Sequence, residues 1–280
     1  MNNISPKKSL GQHFLHDKNI AKKIVDLLSL QPGSVVLEIG PGTGVLTDFL
    51  LENDIVLYAV EVDNRSIEFL QEKYSKFLDN QLFILNQDIL TVDFEKIYSK
   101  QKQKIRVIGN IPYYITSPIL FHLFDNSDYL INAVLMVQKE IAMRLKANKR
   151  TKEYGILTLA RELYGEIGKL YSVPASCFIP PPKVTSAFFE INFQSNINNE
   201  DNKIQKKKLL NLIKTLFEQR RKMISNSIKN YVSSSEIYLN LINSDQPQIK
   251  KYLSSRPEEL SLNDYVILYN FLSSLQKPNK

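Results

Sequence analysis

The chain has 280 residues, 43% hydrophobic and 23% charged, with nine glycines and twelve prolines. That length and balance can bury a sizeable core and exclude collagen-like and wholly disordered chains. Thirty-six basic residues against 29 acidic ones leave a net charge of +7. The excess is local: residues 201–280 carry 14 basic and 7 acidic side chains, whereas residues 1–200 carry 22 of each. A neutral body with a basic appendix suggests a polyanionic partner, nucleic acid first; a solvated lysine-rich helix reads the same way. The single cysteine, Cys177, excludes an internal disulfide framework and a cysteine-rich metal site, and no metal is expected. The polar start, Met1 to Gln12, lacks the apolar core of a secretion signal. No apolar run approaches the roughly 20 residues of a membrane span. A soluble, cytoplasmic protein without a membrane partner is expected.

In chain order, apolar side chains at helical spacing over 18–30 are broken by Pro32-Gly33. Val35 to Ile39 is a nearly continuous apolar run interrupted by Glu38, the pattern of a strand covered on both faces. Gly40-Pro41-Gly42-Thr43-Gly44 follows, then a helix to about Leu51. Strands are predicted at Ile55 to Val60, Leu82 to Leu85 and Ile105 to Ile108, with a helix over about 64–78. A strand near 132–137, helices near 139–147 and 155–164, and apolar stretches at 167–173 and 184–193 fit the same sheet. This alternation predicts a doubly wound parallel α/β sheet. Gln194 to Lys203 is polar and reads as a linker; beyond it, 204–230 and 260–275 are helical with no convincing strand. Two domains follow: an α/β domain over 1–195 and a small helical one over 204–280.

The glycine loop lets a backbone approach a bulky ligand closely. It differs from a dinucleotide fingerprint, because Val45 stands where the third glycine would fall. Glu61, 21 residues after Gly40, ends the second strand, where a carboxylate can accept from both hydroxyls of a ribose. Asp88, near the end of the third strand, is placed to accept from an adenine amino group. A glycine loop, a ribose acid and an adenine-contacting Asp in this order resemble the class I S-adenosylmethionine methyltransferases.

Asn110-Ile111-Pro112-Tyr113 follows the fourth strand, in the crevice where such sheets bind ligands. It resembles the motif of methyltransferases that act on exocyclic amines. An adenine N6 lone pair is delocalised into its ring. Two acceptors aimed at the amine protons, the Asn110 amide oxygen and the Ile111 carbonyl, would favour a pyramidal nucleophile and stabilise the developing charge. Pro112 would fix the turn, and Tyr113 could stack on a base that has left its helix. No strong base is needed, because the cationic product loses its proton readily. In Phe178-Ile-Pro-Pro-Pro-Lys-Val-Thr-Ser186, three prolines could hold Phe178 as a second wall of the base pocket, or form a rigid connector over a core ring.

Ser9-Leu-Gly-Gln-His-Phe-Leu15, the glycine loop, Asn110 to Tyr113, the Phe178 element and Leu216-Phe-Glu-Gln-Arg-Arg-Lys222 occur in the order of the KsgA-type small-subunit ribosomal RNA adenine dimethyltransferases. The resemblance covers nearly the whole chain. It implies N6,N6-dimethylation of two adjacent adenosines in a hairpin near the 3′ end of 16S rRNA. The donor would be S-adenosyl-L-methionine, and the substrate a partly assembled small ribosomal subunit. The family's donor contacts fall on His13, Leu15, Gly40, Glu61, Asp88 and Asn110, with Gly42 in the same loop; His13 stands where many members carry Asn. Lys214, Arg220, Arg221 and Lys222 would belong to an rRNA-docking surface, joined by a basic stretch from Lys139 to Lys152 in the catalytic domain. A monomer is expected. The erythromycin-resistance methyltransferases of large-subunit rRNA share the front half of these motifs; an assembly factor with little catalysis is the other alternative.

Overall fold

The structure, a computed structural model, describes residues 4–193 and 200–275. The chain divides into two compact units: Met1–Ala142 with Tyr164–Ser195, and Met143–Leu163 with Asn196–Lys280.

The first unit begins with strand β1 (Phe14–Leu15) and helix α1 (Lys18–Asp26), whose first turn is capped by the Asp17 carboxylate accepting from the Asn19 and Ile20 N–H groups. Then come β2 (Ser34–Ile39), α2 (Val45–Leu50), β3 (Ile55–Glu61), α3 (Asn64–Lys73), β4 (Leu82–Asn86), α4 (Phe94–Gln101), β5 (Ile105–Asn110), α5 (Thr116–Asp125) and β6 (Leu130–Gln138). Helices α6 (Lys139–Leu145) and α7 (Ile156–Tyr164) follow in the chain, their residues 143–163 belonging to the second unit; the first unit resumes with β7 (Gly165–Ile167), β8 (Tyr171–Val173), β9 (Phe178–Ile179) and β10 (Ser186–Phe193).

The sheet runs β4-β3-β2-β5-β6-β10-β7, with β8 also on β10, and β1 pairs separately with β9. The first five strands are parallel; β10 is antiparallel to β6, β7 and β8. The sheet is therefore mixed where the sequence pattern suggests wholly parallel pairing, and the apolar stretch at 167–173 is divided between the last residue of β7 and the short strand β8, both antiparallel to β10. All six residues of β2 are buried, as its central place between β3 and β5 requires. The chain winds outward from β2 in both directions, so a crevice opens beyond the carboxyl ends of β2 and β5. Register places the ends together: Ile39 lies opposite Val60 and Gly109, Glu61 opposite Asn86, and Asn110 opposite Met136.

The second unit contains α8 (Glu200–Phe217), α9 (Ile224–Ser227), α10 (Ser235–Ile242), α11 (Pro247–Ser254) and α12 (Leu262–Leu275). Its core includes Leu212, Ile213, Leu216, Leu241, Tyr265 and Leu268, and also Tyr154 and Leu159. Residues 143–163 thus pack with the C-terminal helices, whereas the sequence pattern assigns them to the α/β domain. The reason is local. The Tyr154 hydroxyl donates to the Leu260 carbonyl at 2.8 Å, and the Arg150 N–H to the Glu258 carbonyl at 3.0 Å. Of the linker expected at 194–203, residues 194–199 lie outside the described residues, and α8 begins at Glu200. No helix among the described residues is long and apolar enough to cross a membrane.

Reassigning 143–163 sharpens the charge asymmetry. The second unit carries 20 basic and 10 acidic residues, the first 16 and 19.

Candidate active site

A cleft of about 220 Å³ sits at the carboxyl edge of the parallel strands, bordered by His13, Gly40, Gly42, Glu61, Asp88 and the Asn110-to-Tyr113 segment. Nine of the residues singled out in the sequence therefore meet in one place. Gln12, Phe14 and Tyr114 border it too.

The glycine loop is built for contact. Gly42 has φ +56°, and a Cβ there would lie 2.8 Å from the Phe14 ring. At Gly44 (φ +78°) a Cβ would collide with the Tyr74 hydroxyl, which bonds the Gly44 carbonyl at 2.8 Å. Side chains at either place would push the loop off its neighbours.

Glu61 is buried, and that burial raises its carboxyl pKa above the ordinary value. Its Oε1 accepts from the Val62 and Asp63 N–H groups at 2.9 and 3.0 Å, its Oε2 from the Gly42 N–H at 3.2 Å. A carboxylate offers about four acceptor positions. The backbone occupies three of them, so one further donor can be added without displacing the loop, where the sequence reading expects two. Asp88 is exposed; its Oδ1 accepts from the Leu90 N–H at 2.9 Å, and no hydrogen bond engages its Oδ2 among the described residues.

Asn110 shows the tightest local logic. Its Nδ2 donates to the His13 carbonyl at 2.8 Å, which fixes the amide so that Oδ1 is the unengaged acceptor. The Ile111 N–H is tied to the Met136 carbonyl at 2.9 Å, while no donor among the described residues reaches the Ile111 carbonyl. Pro112, at φ −57° and ψ 131°, turns the chain into the short helix Tyr113–Ile115. The Tyr113 hydroxyl bonds the buried Ser186 hydroxyl at 2.6 Å, and burial raises its pKa. Its ring stacks on His13 with centroids 5.7 Å apart. His13 is held in turn by Nδ1 on the Pro180 carbonyl at 2.7 Å.

Two expected site residues lie elsewhere. Phe178 is 1% exposed, lies in the core, and does not border the cleft. The pairing of β1 with β9 sets it opposite Leu15 and turns the neighbouring Ile179 outward, 57% exposed. The three-proline element is thus a connector over a core ring that delivers the Pro180 carbonyl to His13. Leu15 is buried in that core and does not border the cleft either.

The basic residues also separate. Arg220 is engaged inside the second unit: Nε donates to Glu258 at 2.6 Å, Nη1 to the Lys152 carbonyl at 2.9 Å and Nη2 to the Thr151 carbonyl at 3.1 Å. It is a fastener rather than a surface charge. Lys214, Arg221 and Lys222 are exposed.

Glu38, noticed in the sequence only as an interruption, lies fully buried beneath the loop and accepts from the Thr47 hydroxyl at 2.7 Å. Burial pushes its carboxyl pKa up to about 8. An acid inside a buried strand just before the glycines was the available signal. Tyr114, 62% exposed at the cleft, had only its place beside Tyr113 to mark it.

The family described as ribosomal RNA adenine dimethylase matches residues 3–261. The ribosomal RNA small subunit methyltransferase A of Mycoplasma mobile is 40% identical over 94% of this chain and 96% of its own length. That of a Sulfurihydrogenibium species is 37% identical over 98% and 99%. Among solved structures, a dimethyladenosine transferase from Plasmodium falciparum superposes with a TM-score of 0.75 at 27% identity, covering 94% of this chain and 98% of that one. The 23S rRNA methyltransferase ErmE shares the fold, with a TM-score of 0.64 at 24% identity, over 93% of this chain and 99% of its own.

Proposed function

The chain belongs to the ribosomal RNA adenine dimethylase family, and from that premise we propose that it dimethylates N6 of two adjacent adenosines in a 16S rRNA hairpin of the assembling small subunit. The observation that carries the reading is the pair of unengaged acceptors at the cleft, Asn110 Oδ1 and the Ile111 carbonyl, beside a half-buried tyrosine ring.

The cleft fits S-adenosylmethionine. Gly40 borders the cleft with nothing within 4 Å of where a Cβ would stand, Glu61 Oε2 retains an acceptor position for a ribose hydroxyl, and Asp88 Oδ2 can receive an adenine amine. That donor would supply an electrophilic methyl group on a sulfonium. The chain's own residues do the rest. Asn110 and the Ile111 carbonyl draw the two amine protons out of the base plane, which frees the N6 lone pair and stabilises positive charge as the new bond forms. Tyr113, anchored by Ser186, gives the extruded base a fixed face to stack on. Release of the N6 proton to water needs no base from the protein. Exposed cations of the second unit, including Lys214, Arg221 and Lys222, supply phosphate contacts that set register on the RNA.

The test is transfer of labelled methyl groups to unmethylated small subunits by the wild type and Asn110→Ala, with products read as nucleosides. Dimethyladenosine is expected from the wild type. The variant should lose about 100-fold in rate, read at saturating donor because the tie to His13 is lost with the side chain. Another methylated nucleoside, or near-wild-type turnover in the variant, would overturn the reading.

A further inference from the structure

Asp63 lies just past the end of β3, outside the cleft, and no motif of the sequence points to it. Its carboxylate is 1% exposed, yet charged partners surround it. Arg65 donates Nη2 to Oδ2 at 2.6 Å and Nε to Oδ1 at 3.1 Å; Gln12 Nε2 reaches Oδ2 at 3.1 Å and Lys7 Nζ reaches Oδ1 at 3.5 Å. Two of these partners come from one segment, residues 5–13. Arg65 ties the same segment a third time, through Nη1 on the Ser5 carbonyl at 3.0 Å.

Gln12 is oriented from both sides. Its Oε1 accepts from the Lys7 N–H at 2.8 Å, which turns Nε2 toward Asp63. The far end of the segment is held at His13, whose carbonyl receives Asn110 Nδ2. Between these anchors run Leu10 to His13, one wall of the cleft. The Asp63 N–H, meanwhile, donates to Glu61 Oε1. One residue therefore fixes the ribose acid through its backbone and the N-terminal wall through its side chain.

We propose that Asp63 is the latch that holds the N-terminal strap, residues 5–13, closed along the cleft, and is thereby a positioning residue for methyl-donor binding. The inference rests on the reading that the cleft takes S-adenosylmethionine. A buried carboxylate with charge-assisted bonds makes a strong fastener, and removing its charge leaves the cationic partners uncompensated. Ordering the strap beforehand lowers the entropic cost of closing it around a ligand. The latch should therefore act on affinity and leave the chemical step alone.

The experiment compares wild type, Asp63→Asn and Arg65→Ala in the full chain by three readouts. These are trypsin cleavage after Lys7 without donor, S-adenosylmethionine affinity by calorimetry, and rate at saturating donor. Asp63→Asn should be cleaved about tenfold faster and bind donor about tenfold more weakly, with its saturated rate within twofold. Arg65→Ala should show the same pattern at smaller size, and it serves if Asp63→Asn fails to fold. Wild-type affinity in the variants overturns the latch, whether or not cleavage accelerates; so does a saturated rate that falls with affinity unchanged. A wild type that binds no S-adenosylmethionine overturns instead the reading of the cleft on which the latch depends.

Discussion

The two units hold their polar side chains in opposite ways. In the α/β unit, the groups at the cleft are oriented by backbone partners and still keep an acceptor open: Asn110 uses its nitrogen on His13, and Asp88 uses one oxygen on Leu90. In the helical unit, Arg220 is fully committed to Glu258, Lys152 and Thr151, while its neighbours Arg221 and Lys222 are exposed. A catalytic group must be held rigidly yet remain incomplete, whereas a docking charge needs exposure more than fixed geometry. The contrast shows that a basic cluster read from sequence mixes surface charges with fasteners.

The comparison can be broken most forcefully in the core of the first unit. Phe178→Ala should destabilise the protein by about 3–5 kcal/mol, the usual cost of emptying a buried phenylalanine site, with donor affinity preserved in the folded fraction. Denaturant unfolding with binding measured below the transition checks this. Weak donor binding at undiminished stability would return Phe178 to the cleft.

Glu38 gives a pH-dependent prediction of comparable size. Its folded pKa of about 8 lies above the ordinary value of 4.5, so the folded state keeps a proton that the unfolded chain releases. Stability from this group is fully present below about pH 4.5 and is lost as pH rises through 8. The loss is on the order of 5 kcal/mol. Glu38→Gln retains an acceptor for Thr47 and should flatten that fall, making the variant the more stable protein at pH 8. Parallel unfolding profiles at pH 5 and pH 8 would remove the argument.

The smallest effects sharpen the contrast within the second unit. Arg220→Ala should cost about 1–2 kcal/mol of stability, since its partly exposed ion pair is screened. Arg221→Glu with Lys222→Glu should leave melting unchanged but weaken binding to small subunits and flatten its salt dependence. Thermal scans and a salt titration of each variant separate the roles; an unchanged salt slope in the double variant would take that surface out of the interface.

Most of the first unit was legible because hydrophobic runs buried on both faces punctuate the chain, and its motifs fall at successive strand ends. Helices α4 and α5 were not foreseen, although Asp93 caps the first of them by accepting from the Lys96 N–H. The lining of the cleft was readable where chemistry dictates residue type, at Glu61, Asp88 and Asn110. It was not readable at Phe178, because ring burial depends on the short β1–β9 pairing between segments some 160 residues apart in the chain. For the same reason residues 143–163 were misplaced: their partners, Leu260 and Glu258, lie about 100 residues downstream.

The most direct test of the central claim is a competition for methyl groups between unmethylated small subunits and large-subunit rRNA, with labelled sites mapped. Dimethyladenosine at two adjacent positions of the small-subunit hairpin, with none in the large-subunit RNA, is predicted. Label in the large-subunit RNA would contradict the account and move the activity to the resistance-type enzymes, and a failure to label either RNA with donor still bound would leave an assembly factor.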